Sequence, residues 1–389
     1  RNDGLTHIPE GVRVDAHTAA GNAELVQLIT PEGVRVADPT YSPLVAGVTA
    51  DDLRGFYRDM VVVRAFDAEA TSLQRQGETA LWVPCLGQEA AQIGSGRALA
   101  PQDFVFPSYR EHGVALTRGL DLRKIMRLFR GYEHGGWNPA EHNFHLYTLV
   151  IGSHSLHATG YAMGVQRDGN VGTGEPGRDQ AVMAYFGDGA TSQGDVSEAF
   201  TFSAVNNAPV VFFCQNNHWA ISVPTARQTR GPLVRRGGGF GIPAVRVDGN
   251  DVLAVHAVTL EALERARSGG GPSFIEAVSY RLGAHTTSDD PTRYRAGAEV
   301  DYWKARDPIE RLRALLVSEG AADDAFFEAV RAEADELAAE VRTYTRSLPT
   351  PPSSRLFEHV YTVPHPLVAE ERAWFEEYGA SFLPAGGAS

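Results

Sequence analysis

Asp188 and Asn217 are the residues whose type and spacing most directly indicate ligand chemistry. Asp188 stands between Gly187 and Gly189 after a short apolar run, and Asn217 follows Asn216 after the next apolar run. A carboxylate and an amide offer hard oxygens of the kind that Mg²⁺ prefers, commonly with phosphate and water completing its coordination. The glycines let the backbone bend sharply and approach a bulky anion. Each pair alone is also typical of a surface turn, but their joint placement favours a ligand site.

The elements around these residues predict an α/β fold. Strands are predicted at Ala181–Phe186, Val210–Cys214, Ala244–Val247 and Ser273–Tyr280, and helices at Gln88–Leu99, Leu122–Phe129, Val196–Val205, Val252–Arg267 and Asp323–Arg346. Alternation of strand and helix favours a parallel sheet with helices on both faces. Because ligands of such sheets bind beyond the carboxyl ends of the strands, Asp188 and Asn217 are expected at one edge.

Three parts are expected along the chain. Residues 1–48 are rich in turn formers and prolines, which predicts an extended N-terminal arm. A helix start after Thr49 opens the α/β domain, residues 49–347. Residues 348–389 begin with a stiff proline-rich linker and end in a segment too short to fold alone, which is expected to pack on a neighbouring chain.

Bulk composition restricts the classes of partner. The 389 residues carry a formal net charge of −13, which argues against a general nucleic-acid or anionic-membrane surface. No apolar stretch approaches the roughly 18 residues that are needed to cross a bilayer. Only two cysteines occur, Cys85 and Cys214, which argues against a disulfide framework and favours a reducing, cytoplasmic location.

Three motifs together resemble the α subunits of 2-oxo acid dehydrogenase complexes, in the thiamine-diphosphate-dependent decarboxylating first component. The segment from Gly187 to Asn217 is similar to the thiamine diphosphate signature, and it continues into Asn217–Ser222. The stretches Pro107–Gly113 and Tyr280–Arg295 match further motifs of the family in the same order, and the resemblance covers roughly residues 45–365. This resemblance implies a thiamine diphosphate-binding fold.

The resemblance also implies a role for each matching residue. Asp188 and Asn217 are expected to bind Mg²⁺ through their side chains, and Trp219, where the family more often has Tyr, through its main-chain carbonyl. Tyr109 and Arg110 are expected to contact the diphosphate of thiamine diphosphate, because a planar guanidinium fits phosphate oxygens.

Further cofactor contacts are implied around these positions. The residues concerned are Gly187, Gly189, Ala190, Ser153, Ser155 and Leu156. The family usually has a bulky aliphatic residue beneath the thiazolium ring; that position falls on Ser155 or Leu156, and Leu156 is the better physical candidate. Several relatives have Arg where this chain has Gln215, which removes one possible phosphate contact.

His285 matches the histidine of the family's active-site loop. It is expected to act as a catalytic residue and to contact the cofactor, because histidine can donate to phosphate or move protons near neutral pH. Arg281 is expected to order this loop through Asp289 or Asp290. The loop from Arg281 to Arg295 is also expected to be mobile without cofactor and ordered with it.

The implied reaction is the oxidative decarboxylation of a branched-chain 2-oxo acid such as 2-oxoisovalerate. The acyl group then passes to a lipoyl group on the acyltransferase core of the complex. Pyruvate dehydrogenase and acetoin dehydrogenase α subunits remain alternatives, as does a non-catalytic scaffold homologue. In this family a separate β subunit supplies the glutamate that protonates the aminopyrimidine ring. The resemblance therefore implies two α and two β chains, with no nucleic acid or membrane as partner.

Overall fold

A parallel sheet of five strands forms the centre of the computed structural model, which describes residues 25–133 and 135–382. The strands are β1 (Phe104–Phe106), β2 (Val182–Gly187), β3 (Val210–Asn216), β4 (Trp219–Ala220), β5 (Val223–Pro224), β6 (Ala244–Asp248) and β7 (Ser273–Val278). The sheet order is β1-β2-β3-β7-β6 with every neighbouring pair parallel, whereas β4 and β5 form a separate antiparallel pair. The predicted α/β fold with a parallel sheet is thereby confirmed.

Helices cover both faces of this sheet. They are α1 (Ala50–Arg75), α2 (Glu89–Gly96), α3 (His112–Thr117), α4 (Arg123–Phe129), α5 (Pro139–His142), α6 (Ser153–Arg167), α7 (Gly194–Asn206), α8 (Thr225–Gln228), α9 (Arg235–Gly239), α10 (Val252–Arg267), α11 (Gly297–Lys304), α12 (Pro308–Ser318), α13 (Asp324–Ser347) and α14 (Pro366–Ala380). α1 begins with a capping box, in which the Thr49 hydroxyl accepts from Asp52 N and the Asp52 carboxylate accepts from Thr49 N.

Alternate residues of the central strands enter two separate apolar cores. In β3, Val211 and Phe213 pack in the core beneath α1, α2 and α10, whereas Phe212 and Cys214 pack in the core beneath α6 and α7. Successive side chains of a strand point to opposite faces, so a strand that is apolar throughout must be covered on both sides. Packing on both faces fixes the position of the central strands, whose carboxyl ends carry the candidate site.

Residues 25–48 pack against the α/β domain. The backbone N–H groups of Leu28 and Ile29 donate to Asp251 Oδ2 at 2.7 and 2.6 Å. The other oxygen of Asp251 accepts from the first turn of α10, so one buried carboxylate joins the segment to that helix. The earlier part of the predicted arm, residues 1–24, lies outside the described residues, and the three-part division of the chain stays a prediction.

The C-terminal helix α14 has no buried residue. Three of its large apolar side chains, Leu367, Trp374 and Tyr378, are at least half exposed. The packing of this segment on a neighbouring chain therefore stays a prediction. Within the described ranges, no helix is both long enough and apolar enough to cross a membrane.

Candidate cofactor and metal site

A cavity of about 190 Å³ lies beyond the carboxyl ends of β2 and β3. Gly187 pairs with Gln215 in the sheet, so the residues that follow these two strands leave it at the same edge. The predicted site residues that line the cavity are Tyr109, Arg110, Gly187, Asp188, Gly189, Ala190, Asn217, Trp219 and His285. The fold thus brings together side chains from four distant stretches of the sequence.

Asp188 presents a buried carboxylate that has no cationic partner within residues 25–133 and 135–382. Only 2% of the residue is exposed, and its Oδ2 accepts hydrogen bonds from Gln228 Nε2 at 2.8 Å and Thr225 Oγ1 at 3.0 Å. Burial raises the pKa of the Asp188 carboxyl, while these two hydrogen bonds oppose that rise. No Lys or Arg of the described residues forms an ion pair with Asp188, so a bound cation would compensate a buried charge.

The two asparagines at the end of β3 have different surroundings. Asn216 Nδ2 donates to Glu276 Oε1 at 2.7 Å, inside the protein. Asn217 lines the cavity, and its Nδ2 donates to Gln88 Oε1 at 3.2 Å. Its Oδ1 accepts a long hydrogen bond of 3.2 Å from Trp219 N. Because the Trp219 N–H can only donate, the atom that accepts from it is the amide oxygen, and this Asn217 oxygen is the atom available to a metal.

The backbone around Trp219 is held in an unusual conformation. His218 and Ile221 on either side have φ values of 71° and 54°, in the left-handed region that L-residues rarely adopt. Arg281 secures this turn, because its Nη1 donates to Trp219 O at 3.0 Å and its Nη2 to Ile221 O at 2.7 Å. A carbonyl oxygen has two lone pairs, so Trp219 O retains one for a metal.

At Gly189, next to Asp188, the backbone lies close to Ala220 of β4, where only glycine fits. A Cβ atom at this position would lie 2.8 Å from the Cβ of Ala220, which is closer than real Cβ atoms approach. A larger residue would therefore displace the β4 segment that carries Trp219. No group of three or more His, Cys, Asp or Glu side chains suited to a metal exists within residues 25–133 and 135–382. A single carboxylate is compatible with Mg²⁺ whose other ligands are amide, carbonyl, phosphate and water oxygens.

Arg110, a cation, and His285 lie side by side in the lining of the cavity. Arg110 is 5% exposed, and its Nη2 donates to His285 O at 3.0 Å and lies 3.3 Å from His285 Nδ1. Its guanidinium carbon stands 5.7 Å from the ring centre of Tyr109. None of the carboxylates in the described part of the chain forms an ion pair with Arg110. An anionic group in the cavity would supply the missing counter-charge.

The environment of His285 determines its protonation state. Burial, followed by the charges of Arg110 and Arg281, lowers the pKa of His285 to about 3. Both guanidinium groups approach Nδ1, at 3.3 and 3.5 Å, and a guanidinium can only donate. Nδ1 of the neutral ring is therefore the acceptor and Nε2 carries the proton. His285 can donate that N–H to a phosphate or to a substrate oxygen.

The active-site loop is tied down by two sets of contacts. Arg281 Nη2 donates to the Tyr294 hydroxyl at 2.8 Å, and that hydroxyl donates to Asp289, whose Oδ2 also accepts from His285 N. Arg281 is thus linked to Asp289, as the sequence suggested, but through the Tyr294 hydroxyl, which stands between the two charges. Thr287 pairs with the backbone of Trp82 on the other side of the loop.

Ser153, Ser155 and Leu156 do not line the cavity. Ser153 Oγ donates to Val150 O, and Leu156 packs against the core beneath α6 and α7. Ser155 is fully buried, and its Oγ has no hydrogen-bond partner among the described residues. The same turn does reach the cavity through Ile151, Gly152 and His154. Contact of the three predicted residues with a cofactor stays a prediction.

Two glutamine side chains that the sequence did not assign, Gln88 and Gln228, complete the site, together with Gln215. Gln88 orients Asn217, Gln228 holds Asp188, and Gln215 is engaged inside the protein through Glu111 Oε1 at 2.7 Å. The one feature of the sequence that could have drawn attention to Gln88 is the glycine before it, Gly87. Its φ of 92°, and a Cβ position 2.1 Å from Tyr280 O, require glycine directly before Gln88.

A larger cavity of about 280 Å³ lies elsewhere, between β6 and α11. Its lining includes Arg246, Asp248 and Trp303 but none of the predicted site residues. Asp248 is already paired with Arg311 at 2.8 Å. Volume alone therefore does not locate the site, whereas the uncompensated charges around the smaller cavity do.

The fold and the cavity define an α/β protein with a ligand site at the carboxyl edge of a parallel sheet. Residues 57–352 match the family described as "Dehydrogenase E1 component". The chain belongs to this family, as the α subunit of a 2-oxo acid dehydrogenase E1 component. Membership implies thiamine diphosphate as cofactor, and it implies work with a β subunit and an acyltransferase core.

Curated relatives extend over most of the chain. It is 45% identical to "3-methyl-2-oxobutanoate dehydrogenase subunit alpha" of Mycobacterium tuberculosis, over 87% of this chain and 89% of that protein. It is 37% identical to "2-oxoisovalerate dehydrogenase subunit alpha 2, mitochondrial" of Arabidopsis thaliana, over 79% of this chain and 66% of the relative. It is 36% identical to "Pyruvate dehydrogenase E1 component subunit alpha" of Acholeplasma laidlawii, over 84% and 94%.

Proposed function

We propose that this chain is the α subunit of a branched-chain 2-oxo acid dehydrogenase that binds thiamine diphosphate and Mg²⁺. It acts in the oxidative decarboxylation of 3-methyl-2-oxobutanoate, with transfer of the acyl group to a lipoyl group. The observation that carries the cofactor assignment is the buried, cation-free carboxylate of Asp188 beside Asn217, in one cavity with Arg110. The branched-chain substrate is supported by the relative at 45% identity.

Different residues of the cavity are assigned to different parts of the cofactor. Asp188 Oδ, Asn217 Oδ1 and Trp219 O would hold Mg²⁺, which would neutralise part of the diphosphate charge. Arg110 and Tyr109 donate to the diphosphate oxygens, and the Nε2–H of neutral His285 reaches a phosphate or the substrate. When bound, thiamine diphosphate supplies the electron sink for decarboxylation, and the protein supplies orientation and electrostatics.

The backbone and the start of α6 are assigned to the rest of the cofactor. Gly187, Gly189 and Ala190 bring main-chain groups against the diphosphate. Among Ser153, Ser155 and Leu156, which the family resemblance assigns to the cofactor, the aliphatic Leu156 is proposed to support its bent conformation. Leu156→Ala would then weaken cofactor binding more than Ser153→Ala, because only the first removes a bulky apolar support.

A β subunit is proposed because, in the family that this chain resembles, a separate β subunit supplies one carboxyl of the site. Its acidic lining residues are Glu111 and Asp188. Glu111 is buried, with Oε2 accepting from Ser108 Oγ at 2.8 Å and Oε1 accepting from Gln215 Nε2 at 2.7 Å. With Asp188 assigned to the metal and Glu111 engaged inside the protein, the lining is compatible with a β subunit that would supply the carboxyl for the aminopyrimidine ring, as the family resemblance implies. An assembly of two α and two β chains, with sites at the α/β interfaces, meets this need.

The test is calorimetry and kinetics on the α chain co-purified with its β subunit. Titration with thiamine diphosphate is expected to show binding that requires Mg²⁺, and absence of binding would favour a scaffold homologue. Steady-state rates with 3-methyl-2-oxobutanoate and pyruvate decide between the two substrates. A higher kcat/KM for pyruvate, or cleavage of acetoin instead, would overturn the branched-chain assignment.

A further inference from the structure

His154 is a buried cavity residue that the metal and diphosphate assignments do not use. It is the second residue of α6, it is fully buried, and it lines the cavity. Its Nε2 lies 2.5 Å from the carbonyl oxygen of Tyr185 in β2. Its other ring nitrogen, Nδ1, is buried and has no hydrogen-bond partner among the described residues. A buried polar atom without a partner is costly unless a ligand satisfies it.

The bond to Tyr185 fixes the tautomer of the ring. A carbonyl oxygen can only accept, so Nε2 carries the proton. Burial lowers the pKa of His154 to about 4, so the ring is neutral near pH 7. Nδ1 therefore presents a lone pair to its surroundings and can only accept a hydrogen bond.

An acceptor at this position selects the chemistry of its partner. Diphosphate oxygens are themselves acceptors, so they are not complementary to Nδ1. Mg²⁺ is not the partner of Nδ1 either, because it prefers oxygen ligands, and Asp188 and Asn217 supply such oxygens elsewhere in the cavity. The partner must therefore be an N–H or O–H group. In thiamine diphosphate the amino group on the pyrimidine ring is the neutral N–H donor.

We propose that His154 Nδ1 accepts a hydrogen bond from the pyrimidine amino group of the cofactor and so helps to position that ring. The assignment rests on the proposed function, because it requires thiamine diphosphate as the ligand. It makes His154 a positioning residue that acts on the ring, whereas Arg110 and Asp188 act on the opposite, anionic end. It also gives the site discrimination against ligands that carry an acceptor in place of the amino group.

Two substitutions of His154 test the roles of its two ring nitrogens separately. His154→Gln keeps a donor near Nε2 for Tyr185 O but removes the acceptor at Nδ1. His154→Asn keeps an oxygen near Nδ1 but removes the donor to Tyr185 O. His157→Gln is the matched control, because His157 is exposed one turn later on the same helix and does not line the cavity. Each variant is co-purified with the β subunit.

The assay is the dissociation constant, by calorimetry with Mg²⁺, for two ligands. One is thiamine diphosphate, and the other is its analogue with an oxygen in place of the pyrimidine amino group. His154→Gln is expected to bind thiamine diphosphate about tenfold more weakly while binding the oxygen analogue no more weakly, so discrimination falls at least tenfold. His154→Asn is expected to stay within about threefold of the wild-type affinity, and His157→Gln is expected to change neither ligand.

Thermal unfolding without cofactor controls for the fold. His154→Gln is expected to unfold at nearly the wild-type temperature, whereas His154→Asn is expected to unfold at a lower one. The assignment would be overturned if His154→Gln and the wild type discriminated equally between thiamine diphosphate and the oxygen analogue. It would also be overturned if His154→Gln lost affinity equally for both ligands, because that result indicates a structural role. A wild-type protein that binds thiamine diphosphate shows that such a failure concerns His154 alone; one that binds neither ligand refutes the proposed function as well.

Discussion

Asp188→Asn separates a metal-binding role of this carboxylate from a structural one. Asparagine has nearly the same shape, and its oxygen can still accept from Thr225 and Gln228, which bond to Oδ2 in the native protein. The substitution removes the negative charge and no large contact. A ligand that depends on the charge is therefore lost, while the internal hydrogen bonds are kept.

Asp188→Asn is expected to weaken cofactor binding strongly but to cost little or no stability in the cofactor-free protein. Removing one partner from a buried charge pair costs about 3–5 kcal/mol, so Mg²⁺-dependent binding of thiamine diphosphate is expected to weaken by roughly 10²–10⁴-fold. Without ligand, the native Asp188 carboxylate is buried with no cationic partner, and burial raises its pKa. The free energy of unfolding of the variant is therefore expected to rise, or to fall by less than about 1 kcal/mol.

The assay combines calorimetric titration with urea unfolding of the cofactor-free protein. Asp168→Asn is the matched control, because this exposed carboxylate ends α6 and does not line the cavity. It is expected to leave both measurements unchanged. Wild-type affinity in Asp188→Asn would refute the metal assignment. A loss of several kcal/mol of stability without ligand would show instead that the charge is structural.

Three further predictions test the surroundings of the site. Arg281→Lys is expected to increase protease cleavage of the loop at residues 281–295, because an ammonium cannot fork between the two backbone carbonyls and Tyr294; unchanged cleavage would contradict this. Gln88→Leu leaves the buried Asn217 amide without its acceptor, which should weaken cofactor binding by about tenfold in calorimetry. Burial lowers the pKa of His112 to about 3, below its ordinary 6.5, so the unfolded chain binds the proton and stability falls as pH drops below 6.5. From pH 7 to pH 5 this loss is about 2 kcal/mol, and in urea unfolding His112→Asn should reduce the pH dependence by that amount.

The strands and helices that were predicted are those with a strong apolar pattern. The predicted helix Val252–Arg267 has the bounds of α10, because an Asp cap and a regular apolar face mark it in the sequence. β1 was missed because it has three residues, too few for a pattern. α6 was missed because Gly160 and Gly164 lower helix propensity. Packing of Ala158, Ala162 and Val165 against the sheet stabilises it instead.

The site was predictable where strand ends determine position, and not where tertiary contacts do. Asp188 and Asn217 each follow a strand, so the parallel sheet alone brings them to one edge. Gln88 contacts Asn217 across 129 residues of sequence, and no local pattern encodes such a pairing. Gln228 likewise reaches Asp188 across 40 residues from a helix of one turn.

The charged groups around the cavity are buried but do not form ion pairs with one another. Asp188, Arg110 and Arg281 are all at least 95% buried, and none of the three forms an ion pair within the described residues. A buried charge without a partner costs several kcal/mol, so a protein that kept one negative and two positive groups apart would gain stability by joining them. Neutral hydrogen bonds hold them apart instead, through Gln228 to the carboxylate and through backbone carbonyls to the guanidinium groups. This arrangement suits a ligand that carries both signs, a divalent cation toward Asp188 and a diphosphate toward Arg110.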